Sequence, residues 1–172
     1  ILIRIIMSTK FFTNSTGNTL FDKFKGIAAD MINFDSFLAV VGFFRSSGYF
    51  KLRKELGNVS EIKILVGINI DDIFRKHNKA LLMLADEDKA KEIYHNGFKE
   101  DIVNAQYSPE VEEGILQMCE DLVSGHLQMR IHATKNLHAK FYLCLPQNHS
   151  EHSDGWVIMG SSNISDSGLG IK

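Results

Sequence analysis

The sequence predicts an α/β fold, and three observations carry that prediction. Two continuous apolar runs, residues 36–44 and 61–68, are rich in β-branched and aromatic side chains and read as strands buried on both faces. A helix signal over 49–56 lies between them, giving the strand–helix–strand order of a right-handed βαβ crossover. After Gly125 β character returns in three short segments, following a helical middle. The 172 residues, 44% hydrophobic and 23% charged, suit one globular domain rather than two domains or a disordered chain.

Each element has a local reason. Phe11-Phe12-Thr13 allows a short strand. Asn18 and Thr19 offer a cap to a helix over 20–31, whose apolar face holds Phe21, Phe24, Ile27, Ala28 and Met31. Arg45-Ser46-Ser47-Gly48 makes a turn after the first buried strand, and a serine there caps the helix over 49–56. Helical signals dominate 78–124, first around Leu81, Leu82, Leu84 and Ala85. A second helix opens at Ser108-Pro109-Glu110-Val111, with Pro109 at the first helical position and acidic residues in the first turn. Its expected buried stripe is Ile115, Met118, Cys119 and Leu122. Strands follow over 127–133, 137–145 and 155–159, separated by a polar turn at 134–136 and a polar loop at 147–154.

The domain is expected to span 7–172. Residues 1–6, apolar except Arg4, read as upstream residues outside the domain or as a short edge strand. They are too short for a membrane span, and no signal-peptide layout follows them. Glycines leading into the terminus at 168–172 suggest that a further part follows.

Charge is unevenly placed. The net charge is −2, but residues 86–121 hold eleven acidic residues and three lysines, a local −8 that leaves +6 on the remainder. The acidic run reads as a solvated helical face. From Leu122 to Ser150 there is no acidic residue, and the window holds Arg130, Lys135, Lys140, His126, His132, His138 and His149. Arg45, Lys51, Arg53 and Lys54 form a second basic group on the crossover helix, either a phosphate-binding surface or a solvated face. Two distant cysteines, Cys119 and Cys144, exclude a disulfide scaffold and a four-cysteine zinc site. Free thiols fit a reducing cytoplasm. A zinc site from histidines and Cys144 lacks metal-type spacing, no nucleotide-binding glycine loop occurs, and no cofactor is expected.

Two short patterns carry chemistry. In His138-Ala139-Lys140, inside a predicted strand, side chains two apart share a face, so an imidazole and an ammonium project together. In Gly160-Ser161-Ser162-Asn163, just after the last strand, Gly160 permits a sharp turn while Ser161 and Asn163 offer hydrogen bonds to an oxyanion. Alone, each pattern is an ordinary structural one. Together on adjacent predicted strands they suit displacement at a phosphate, where cations and donors stabilise developing negative charge.

In these residues the chain resembles the phospholipase D superfamily, whose signature is His-x-Lys, four residues, Asp, then Gly-Ser-x-Asn on the next strand. The stretch Val41-Gly42-Phe43-Phe44-Arg45-Ser46-Ser47-Gly48-Tyr49, followed by Ile62-Lys63-Ile64-Leu65-Val66-Gly67, is similar to the opening of such domains. The resemblance covers residues 34–169. It implies a mixed β-sheet flanked by helices on both faces. It also implies a metal-independent phosphodiesterase with His138, Lys140, Asn163 and Ser161 as catalytic residues. His138 would form a phosphohistidine, a second His138 would act as general acid and then base, and Lys140 and Asn163 would clamp the non-bridging oxygens, with Ser161 assisting.

The chain has one His-x-Lys inside a predicted strand, so the resemblance implies a homodimer with the site at its two-fold axis. The family aspartate falls at Leu145, and a carboxylate at Asp154, at Asp166 or beyond residue 172 would have to substitute. The acid-free window around the motifs favours DNA as substrate. The resemblance adds a fused helicase or DNA-recognition module after residue 172, and a place in DNA processing or defence. The rival readings are a phospholipid hydrolase of the same superfamily, for which no membrane-facing element is visible, and a non-catalytic DNA-binding or dimerisation module, which Leu145 favours.

Overall fold

The computed structural model describes residues 11–31, 33–67, 108–132 and 137–171. The elements, in chain order, are α1 (Leu20–Asp30), β1 (Phe34–Val41), α2 (Ser46–Leu56), β2 (Glu61–Gly67), α3 (Pro109–Ser124), β3 (Leu127–His132), β4 (Phe141–Pro146), β5 (Trp156–Met159) and α4 (Asp166–Leu169). Residues 1–6, the expected turn at 134–136 and the part of the expected helical segment at 78–107 lie outside the described residues.

The strands form one mixed five-stranded sheet in the order β3-β2-β1-β4-β5. β1, β2 and β3 run parallel, and β4 and β5 are antiparallel to their neighbours. α2 is the crossover between the parallel pair β1 and β2, as the strand–helix–strand pattern requires. The buried residues alternate along the strands: Phe37, Ala39 and Val41 on β1, Ile62, Ile64 and Val66 on β2, Leu127 on β3, and Tyr142 and Cys144 on β4. They join one core with Leu20, Phe24 and Ile27 of α1, Tyr49, Leu52 and Leu56 of α2, and Met118 of α3. Phe24 sets its ring edge-on to both Phe37 and Tyr142, at centroid distances of 5.5 and 5.2 Å. On the opposite face Leu38, Val40, Leu65, Leu143 and Leu145 are half-buried. Helices therefore cover one face of the sheet among the described residues, where two covered faces were expected.

The helix ends follow from their sequences. Thr19 caps α1 in a full capping box with Asp22: the Asp22 amide donates to the Thr19 hydroxyl at 3.0 Å, and the Thr19 amide to the Asp22 carboxylate at 2.9 Å. Ser108 caps α3 ahead of Pro109, and Gly125 ends it in a left-handed conformation. Three expectations shift. Residues 11–13 form no strand; Thr13 instead closes a turn by donating its amide to the Asn18 carbonyl at 3.1 Å. α2 begins at Ser46 after Arg45, whose side chain does not cap the helix, so the serines lie inside its first turn. The buried face of α3 is Gly114, Met118 and Asp121, with Cys119 and Leu122 exposed.

The rotation of α3 has a physical cause. Gly114 lies so close to the Phe50 ring of α2 that a Cβ there would overlap it. One and two helical turns further on, Met118 and Asp121 then also face α2. Asp121, 3% exposed, accepts four hydrogen bonds: from the Tyr49 hydroxyl at 2.7 Å, Arg53 Nε at 2.8 Å, Arg53 Nη2 at 3.3 Å and Gln117 Nε2 at 3.1 Å. Burial pushes its carboxyl up, but the bonds from Arg53 and Tyr49 outweigh that and hold it below the ordinary value. The acidic run is thus not wholly a solvated face, because one of its members clasps α3 to α2.

Candidate active site

The site is built where the parallel strands end. Gly42 follows the end of β1 and Gly67 ends β2, and the incoming chain crosses over both. The Leu137 carbonyl oxygen lies 2.6 Å from where a Gly67 Cβ would stand and 3.0 Å from where a Gly42 Cβ would stand. Any side chain at either position would push this segment away. Residues 137–140 are therefore irregular, and β4 begins only at Phe141. His138 and Lys140 thus precede the strand in which they were expected. Their side chains nonetheless meet.

Lys140 Nζ lies 3.1 Å from His138 Nδ1 and donates to the His138 carbonyl at 2.7 Å. An ammonium has no lone pair, so Nδ1 is the acceptor and a neutral His138 carries its proton on Nε2. His138 is exposed and Lys140 half-buried.

Asn163 arrives from the other side. After β5, the Gly160 amide donates to the Lys140 carbonyl at 3.2 Å, fastening the turn to the segment that carries Lys140. The buried Tyr142 hydroxyl donates to the Ser162 carbonyl at 2.6 Å. Two residues on, the Arg45 amide donates to the Ile164 carbonyl at 2.8 Å. Asn163 Oδ1 accepts the Phe43 amide at 3.0 Å, which leaves its NH₂ as a donor for other partners. Lys140 Nζ and Asn163 Oδ1 stand 3.3 and 3.6 Å from the Gly42 Cβ position, so the ammonium and the carboxamide flank one glycine. The Arg45 guanidinium stacks over the neighbouring Phe43 ring, 4.1 Å from its centroid.

His138, Lys140 and Asn163 are therefore held in one region by three segments distant in sequence. Ser161 is exposed in the turn, and no hydrogen bond joins it to Lys140 or Asn163 among the described residues. The carboxylates proposed as substitutes lie elsewhere. Asp154 belongs to the loop between β4 and β5, at the far end of that hairpin. Asp166 heads α4 and pairs with Lys51 at 3.0 Å. Leu145 is four residues into β4, about 13 Å along the strand from Phe141, so a carboxylate there would not reach His138 of the same chain.

The basic group on α2 is largely spoken for. Lys51 pairs with Asp166, Arg53 with Asp121 and Lys54 with Glu113. The sequence reading missed four contributors to the site: Gly42, Gly67, the Phe43 amide and the Tyr142 hydroxyl. The two glycines carried a readable signal, since each falls inside an apolar strand run where a glycine is otherwise costly. No protein-family model matches the chain, and no curated protein does. Among the described residues no helix is long and apolar enough to cross a membrane.

Proposed function

We propose that the chain is a metal-independent phosphodiesterase domain that cuts nucleic acid, most readily DNA, through a phosphohistidine at a homodimer interface. The observation that supports it is the meeting of Lys140 and Asn163 at Gly42, with His138 against Lys140, a site of N–H donors with no carboxylate bonded to it among the described residues. Such a set receives a phosphate and stabilises the charge that develops on its oxygens. An incoming phosphate draws the Lys140 ammonium from the imidazole to a non-bridging oxygen, which frees Nδ1 to take the ring proton through water and leaves the Nε2 lone pair for attack. One His138 attacks phosphorus through Nε2 as the P–O bond to the leaving group breaks, while its two-fold mate gives that oxygen a proton. The mate then takes a proton from water, which attacks phosphorus and breaks the P–N bond. A DNA-processing or defence role in the cytoplasm, with a fused helicase or DNA-recognition module, belongs to the same reading.

One observation favours a second reading, a non-catalytic DNA-binding module. The Lys140 ammonium lies on Nδ1, so a neutral His138 holds its proton on Nε2 and has no lone pair there for attack. Incubating the full chain with labelled DNA in excess chelator separates the two. Cleavage is expected, with a loss on the order of 10⁴-fold in His138→Ala. Undiminished cleavage by His138→Ala would falsify the mechanism. Binding without cleavage by the parent chain supports the module, and hydrolysis of phosphatidylcholine vesicles but not of DNA supports a lipid substrate.

A further inference from the structure

Most cations on α2 and β2 are already answered by carboxylates: Lys51, Arg53 and Lys54 as above, and Lys63 by Glu61 at 2.6 Å. Arg130 is different. It is exposed on β3 and pairs with no carboxylate among the described residues. The same is true of Lys140, whose bonds go to His138 alone.

The sheet connects these two cations. Among the described strands β3 lies at the edge of the sheet, and Leu127 and Met129 point from it to the core. Alternation therefore turns Gln128, Arg130 and His132 to the opposite face. His132 is paired in register with Gly67, and Gly67 is the glycine that the Leu137 carbonyl covers on its way to His138. A line along the strand ends thus runs from the site over Gly42 and Gly67 to His132, then back along β3 to Arg130. No acidic residue occurs in the sequence from Leu122 to Ser150, so neither β3 nor the His138 segment supplies a repelling charge.

We propose that the outer edge of β3, through Arg130 with His132 beside it, is a lane for the nucleic-acid backbone that holds phosphates beyond the one at Lys140 and Asn163. This rests on the nucleic-acid reading above and adds where the polymer runs. β3 and β4 are three strand spacings apart, about 14 Å. One strand of a duplex rises about 3.4 Å per nucleotide, which places the lane on the order of four nucleotides from the attacked phosphate. A repeating polyanion fits a cation and a hydrogen-bonding ring set at that distance from a phosphate site. A small phosphoester does not span it.

The test uses the full chain carrying His138→Asn, so that DNA stays uncut, and reads binding against salt concentration. The ligands are a DNA strand of about 12 nucleotides, long enough to reach β3, and a dinucleotide, which is too short. Adding Arg130→Gln is expected to weaken the longer strand by about fivefold at 0.1 M salt and to reduce the salt slope by about 0.7, the signature of one lost phosphate contact on a single strand. The dinucleotide should bind equally to both proteins, and Arg130→Lys should restore most of the slope. An unchanged affinity and slope for the longer strand would overturn the lane while leaving the active-site reading intact. Failure of the parent to bind either DNA would overturn the lane and the nucleic-acid reading together.

Discussion

Asp121 and Lys140 sit in the same α/β body on opposite terms. Around Asp121 the charges are buried, of both signs and saturated: four donors meet one carboxylate, and Arg53 spends a further bond on the Gly57 carbonyl at 2.7 Å. Around Lys140 the groups are partly open, donors outnumber acceptors, and the fixed bonds go to backbone rather than to a counter-charge. A saturated cluster has nothing left to offer a ligand, so it joins elements. An unsaturated one, held by its backbone, is arranged to receive something. Titratable residues alone do not separate these cases; the state of their partners does.

The contrast can be broken first at its structural end. Asp121→Ala strips the carboxylate and leaves a mostly buried Arg53 without its partner. It should cost about 3–5 kcal/mol of stability in denaturant unfolding. A loss under 1 kcal/mol would mean that the cluster does not hold α2 to α3.

The second test strikes the site through its backbone. In Gly67→Ala the new Cβ would stand 2.6 Å from the Leu137 carbonyl and 2.7 Å from the Leu137 Cβ, so the segment carrying His138 must shift. The expected result is a loss of about 1–3 kcal/mol in stability. Turnover should fall about 100-fold, the cost of misplacing a reacting group by an ångström. Turnover equal to the parent's would show that the approach of Leu137 does not position the site.

The smallest expected effect is a pH profile of stability. Asp121 titrates below its ordinary 3.8 in the folded chain, so its contribution is complete above that value and is lost as pH falls through the depressed one. Tyr49 is raised above 10.0, by burial first and then by its bond to Asp121, so its contribution persists below pH 10 and is lost on the alkaline side. Asp121→Asn should flatten the acid limb. An unaltered limb would assign it to other carboxylates.

The sequence made some of this legible and hid the rest for physical reasons. Strands β1 and β2 were readable because both are continuous apolar runs, and α1 and α3 because their caps are local chemistry within four residues. His138, Lys140 and Asn163 were legible as paired motifs. The start of β4 was not, because it is set by the passage of Leu137 over two glycines some 70 and 95 residues away in sequence. The buried face of α3 was misread for a related reason. Asp121 looks solvent-facing until Arg53 and Tyr49, about 70 residues earlier, are brought against it.

The strand order carries one more consequence, for the chain as it is synthesised. β1 is the central strand, yet one of its edges is matched by β2 soon after it is made and the other by β4, about a hundred residues later. At ribosomal rates that edge waits on the order of 5–20 s with its amides and carbonyls open to pairing with any neighbouring chain. The sheet half that binds the Asn163 turn is therefore the last to be sealed. Nascent chains on one messenger are most exposed to mispairing during that wait.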